Sequence, residues 1–143
     1  MAILTTNLDR IESQIQAARR EGATTRDQIS RMMQSIMEQA PSQRAIIRLA
    51  NQEMGHLSQA ARAKFGRLYQ AKFINQVEEI LSAGIKRGEL RVVNIRTATW
   101  ILLGMAYPFL YPAHESELTT TTEAIDLMVK IFFDGVTGAS FKG

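Results

Sequence analysis

Between Glu78 and Met105 the chain changes polarity abruptly, and that change limits the folds open to it. The segment reads EEILSAGIKRGELRVVNIRTATWILLGM. A charged amphipathic pattern runs up to Gly84 and Gly88, a Gly88-Glu89-Leu90 turn follows, and Thr97 to Ala113 carries no charge at all. A helix that is apolar on every face has no side for solvent, so more of this chain or a second copy must cover it. As a helix, this stretch would be roughly 26 Å long at about 1.5 Å per residue. That is short of the ~20 apolar residues of a membrane span, and Pro108 and Pro112 interrupt it. A buried or partner-facing helix is expected, and no membrane partner.

The rest of the chain repeats apolar residues at three- and four-residue spacing, with no period-two alternation and no Asn-Gly or Asp-Gly hairpin signal. Six helices follow from this pattern. The first covers about Asn7–Glu21, with Leu8, Ile11, Ile15 and Ala18 on one face and Gly22 at its end. The second covers about Thr25–Gln39, where Thr25 and Gln28 have the spacing of a capping box, and Ala40-Pro41 stops it. The third starts near Ser42 and breaks at Gly55. The fourth and longest spans about Ser58–Ile85, with Ala61, Phe65, Leu68, Tyr69, Phe73, Val77, Ile80 and Leu81 as its stripe. Gly66 inside it weakens the helix by about 1 kcal/mol relative to alanine, which points to a close approach or a bend. The fifth runs from Asn94, a good N-cap, to Phe109 or Leu110. The sixth opens with Thr120-x-x-Glu123 and frays at Gly135 and Gly138, with residues 139–143 expected to be mobile.

Composition supports one folded domain over residues 1–143: 45% hydrophobic and 22% charged residues leave enough apolar surface for a core. The absence of cysteine removes disulfides, thiolate metal sites and cysteine nucleophiles. Asp9, Arg10 and Glu12 interrupt the apolar run that a secretory signal needs, so a cytoplasmic protein is expected. The basic middle, with eight Lys/Arg against three Asp/Glu in residues 61–96, reads as a solvated helix face.

Catalytic and metal chemistry find little support. Glu53-x-x-His56 is half of a di-iron helix motif, but Gly55 breaks the helix and no second pair exists; Glu115 and Glu117 follow His114 in the wrong order. There is no phosphate-binding glycine loop, dinucleotide fingerprint or nucleophile elbow. No enzyme activity and no cofactor are expected. A helix-turn-helix over Thr24–Met54 is disfavoured as well, because Gln39-Ala40-Pro41-Ser42 lacks the turn glycine.

Six helices in this order, with Ile80-Leu81-x-x-Gly84, Gly88-Glu89-Leu90, the Ala98…Leu102-Leu103-Gly104-Met105 helix and Phe132-Phe133-Asp134-Gly135, resemble the regulatory domain of TetR-type transcriptional repressors. The resemblance implies an all-α six-helix bundle whose last two helices form a four-helix dimer interface with a second copy. It implies a homodimer that binds a small hydrophobic or aromatic effector. It also implies contact with DNA only through an N-terminal helix-turn-helix domain, which residues 1–143 do not contain.

Two groups of residues fit that scheme. Trp100, Gly104, Tyr107 and Tyr111 form a second stripe on the fifth helix and, with Ile125, Met128 and Phe132 of the sixth, are expected at the dimer interface. Met33, Met37, Met54, Phe65, Tyr69, Phe73 and Leu103 are expected to line the effector pocket, since thioethers and aromatics make adaptable apolar walls. The competing reading of both groups is ordinary core, which would leave a helical dimerisation module without a ligand.

Overall fold

The computed structural model describes residues 2–38, 52, 54–91, 93–106, 108 and 121–134. Among them the chain forms five helices and no strand. These are α1 (Ala2–Glu21), α2 (Thr25–Met37), the long α3, α4 (Ile95–Ala106) and α5 (Thr121–Asp134). The long helix α3 runs as Gln59–Tyr69, a π-helical stretch Gln70–Ile74, and Asn75–Lys86, after a 3-10 turn at Met54–His56. The expected third helix from Ser42, the mobility expected of residues 139–143, and Tyr107 and Tyr111 lie outside the described residues.

Each described helix buries most of the core stripe its spacing defines, although Ala61, Leu68 and Tyr69 of the long helix are only half-buried. Leu8, Ile11, Ile15 and Ala18 of α1 are all buried, as are Ile29, Met32, Met33, Ile36 and Met37 of α2. They meet Phe73, Ile74, Val77, Ile80 and Leu81 of α3, Leu102, Leu103 and Ala106 of α4, and Ile125, Met128 and Val129 of α5. Helix α2 is the hub, packed on α1, α5 and the second half of α3. Helix α4 rests on that same half of α3 and touches α5 only lightly. The last two helices thus attach to different neighbours, which leaves room between them.

The π-helical stretch explains how α3 keeps its stripe inward. Phe65, Tyr69, Phe73 and Val77 are spaced by four, and in a straight α-helix each such step drifts by about 40° around the axis. One wider turn resets the register, closed by the Asn75 N–H donating to the Gln70 carbonyl. Phe73 and the fully buried Ile74, a residue outside the sequence-derived stripe, then both face the core. A Cβ at Gly66 would meet nothing within 4 Å, so no close approach calls for glycine there.

The start of α2 also departs from expectation. Its N-cap is Thr24, whose hydroxyl accepts from the Asp27 N–H at 3.0 Å, and not Thr25. Gln28 does not close a capping box. Its side-chain amide donates back to the Arg19 and Gly22 carbonyls at 3.1 and 3.3 Å, capping the end of α1. One residue therefore ties the two helices at their corner.

Candidate functional site

The Gly88-Glu89-Leu90 turn closes α3 in a Schellman arrangement. Gly88 has φ +78°, its N–H donates to the Ile85 carbonyl at 3.0 Å, and the Glu89 N–H donates to the Gly84 carbonyl at 2.9 Å. This geometry points the Glu89 side chain at the first turn of α2. The Thr25 hydroxyl donates to Glu89 Oε2 at 2.6 Å, and the Thr25 N–H lies 3.3 Å from the same oxygen. Arg87 completes the cluster, with Nε 2.8 Å from Glu89 Oε2 and a terminal nitrogen 2.8 Å from Thr25 Oγ1. A carboxylate at a helix N-terminus also meets the positive end of the helix dipole. The Thr25 hydroxyl, and after it Arg87, hold the Glu89 carboxyl below its ordinary value of 4.5.

The sign of the resulting pH dependence follows from linkage. A carboxyl whose folded pKa is depressed stabilises the native state above the unfolded pKa, and that stabilisation is lost as pH falls through the folded value. Glu89→Gln is expected to be less stable than the parent at pH 7, with the gap closing as pH drops below about 4.5. Chemical denaturation of both proteins at pH 7, 5 and 3.5 checks this. A gap independent of pH would show that Glu89 acts without its charge.

The other face of this turn opens onto a cleft of about 480 Å³ between the C-terminal half of α3, α4 and the end of α5. Leu81, Ile85 and Leu90 form one wall, Ile95, Ala98, Ile101 and Met105 the floor, and Ile131, Phe132 and Phe133 the opposite wall. Polar side chains sit mainly at the α3–α4 turn: Glu89, Arg91, Asn94 and Thr97. Asn94 is already occupied as the N-cap of α4, accepting from the Thr97 N–H at 2.9 Å. A half-open apolar cleft of this size with a few polar groups suits a small organic molecule.

Of the described side chains the sequence assigned to a pocket, none lines this cleft. Met33, Met37, Phe73 and Leu103 are 2–8% exposed and fill the core against one another. Phe65 is buried, and Tyr69 bridges it to Phe73 by ring contacts with centroids 6.2 and 5.4 Å apart. The side chain of Met54 lies outside the described residues. The cleft residues come from three segments, each an ordinary apolar stripe on its own, so no local pattern marks them as a site.

The dimer assignment divides as well. Trp100 is 43% exposed, and Gly104 is exposed with nothing within 4 Å of a built Cβ. Ile125 and Met128, at 0% and 3% exposure, belong to the chain's own core and are not presented to a partner. They face inward because α5 packs on α2, and the apolar residue α5 turns outward is Leu127, 57% exposed. Phe132 is half-buried beside Phe133 in the cleft wall.

The described residues thus form an all-helical bundle with one apolar cleft and an exposed apolar strip on α4. Residues 22–108, more than half of the chain, match the family described as tetracyclin repressor-like, C-terminal domain. The chain belongs to that family, and it is a regulatory-type domain of a transcriptional regulator. No curated protein and no solved structure matches it. Among the described residues no helix is long and apolar enough to cross a membrane, and no group of three His, Cys, Asp or Glu could hold a metal ion. His56, exposed in the 3-10 turn, stands apart from the cleft, and Glu53 lies outside the described residues.

Proposed function

We propose that this domain senses a small hydrophobic effector and pairs with a second copy, controlling from the cytoplasm DNA binding by a headpiece joined to α1. The observation that carries the sensing half is the apolar cleft built directly on the Gly-Glu-Leu turn. A ligand there would touch Glu89 and Leu90, and Glu89 holds the first residue of α2. The corner between α1 and α2 is held in turn by Gln28. An effector that binds better to one setting of this corner shifts the population toward it, and the difference in affinity sets the size of the shift. The family description, tetracyclin repressor-like, supports reading the regulator as a repressor.

Thermal-shift screening of apolar and aromatic compounds tests the sensing reading. A true effector at 100 times its Kd contributes about 2.7 kcal/mol, a shift of several degrees for a domain of this size. A broad library that leaves the midpoint unmoved would reduce the protein to a dimerisation module without a ligand.

A further inference from the structure

Two adjacent residues at the start of α2 are tied to opposite walls of the cleft. Thr25 is held by Glu89, in the turn that ends the α3 wall. Arg26 donates to both carboxylate oxygens of Asp134, at 3.0 and 3.1 Å, one residue beyond Phe133 in the α5 wall. The separation of the two walls is therefore written into the first turn of α2. That turn is the same one whose Gln28 caps the end of α1.

The charge in the cleft is one-sided. The charge of Glu89 is balanced by Arg87 and its carboxylate is hydrogen-bonded by Thr25, whereas Arg91 has no ion-pair partner among the described residues. The remaining lining is mostly apolar, so the cleft offers an oily trough with, among the described residues, one unmatched guanidinium at its edge. An arginine fork matches a carboxylate in charge and in planar geometry.

We infer that the cleft takes an apolar monoanion, its carboxylate on Arg91 and its chain between Ile85 and Phe132, and that α2 reads occupancy through Thr25 and Arg26. The inference rests on the effector-sensing reading and adds the charge of the ligand and the route of the signal. Spreading the walls strains one tie or the other. The Arg26–Asp134 pair yields first, because both side chains are more than 40% exposed and the Glu89 cluster has more bonds.

Calorimetric titration with decanoate and with decanol, on the parent and on Arg91→Gln, tests the ligand class. Arg91 is an exposed residue whose replacement leaves the core intact. Decanoate is expected to bind the parent saturably and to lose about tenfold or more in affinity in Arg91→Gln, with decanol unaffected. Equal affinities of the two proteins for decanoate would overturn the assignment. Hydrogen exchange tests the route: decanoate is expected to change protection at Arg26–Ile29 in the parent. Saturable binding without any change there would overturn the coupling. If other compounds raise the melting midpoint but decanoate does not bind, this inference falls and effector sensing stands. If no compound does so, both fall.

Discussion

Gly84→Ala is expected to destabilise the domain by about 2–3 kcal/mol, against the usual gain from alanine in a helix. Gly84 is buried in the last turns of α3, where Thr25 packs directly on its Cα. A Cβ built there collides with Thr25 Oγ1 and lies 2.9 Å from Thr25 Cγ2 and 3.1 Å from Leu90 Cδ1. Thr25 cannot retreat freely, because its hydroxyl and N–H are both engaged by Glu89 and its hydroxyl also by Arg87. Either α2 shifts off α3 or the cluster breaks. Gly66→Ala in the same helix is the matched control. Open space surrounds a Cβ at that position, so alanine is expected to stabilise by about 0.5–1 kcal/mol. Urea unfolding of the two variants at one protein concentration should give shifts of opposite sign. Two stabilising substitutions would mean that the contact between Gly84 and Thr25 is looser than its geometry states.

The second large effect concerns self-association. Helix α4 turns Trp100, Ile101 and Gly104 to solvent, and α5 turns Leu127 outward, at exposures of 43%, 55% and 57% for the three large side chains. Exposed apolar residues at three- and four-residue spacing along one helix form a continuous strip, and Gly104 lets a partner helix approach closely. Ile101 also lines the cleft, but Trp100 and Leu127 do not, so Trp100→Glu and Leu127→Glu test pairing without replacing a cleft residue. In a two-fold interface each substitution appears twice, and each buried unpaired charge costs several kcal/mol. The dimer constant is expected to weaken by about 100-fold or more, read by sedimentation at micromolar concentration. The monomeric fold should be little affected, since both side chains are already exposed. A parent chain that sediments as a monomer throughout would remove the dimer from the proposal.

Much of this was legible in the sequence because helical periodicity reports burial directly. Ile11, Ile15, Ile29, Met33 and Val77 face inward at the spacing that first marked them. Asn94 caps α4, and the Gly88-Glu89-Leu90 turn ends α3 where glycine and polarity said it would. Periodicity is silent on which inward stripe meets which neighbour. Ile125 and Met128 therefore looked available to a partner until α5 was seen against α2, and the methionine stripe looked like a pocket wall until its side chains were found interlocked.

Local chemistry in the sequence determined the all-α class, the inward stripes of the described helices and the family, since glycines and apolar spacing act within a few residues. Even so, α1 begins at Ala2 where about Asn7 was expected, and α2 is capped by Thr24. Tertiary structure alone decided the site. Thr25 and Glu89 are 64 residues apart, and Arg26 and Asp134 are 108 apart. No short-range rule pairs residues at such separations. Only the packing of α2 as a hub brings them together, places the cleft between their two walls, and leaves one face of α4 uncovered.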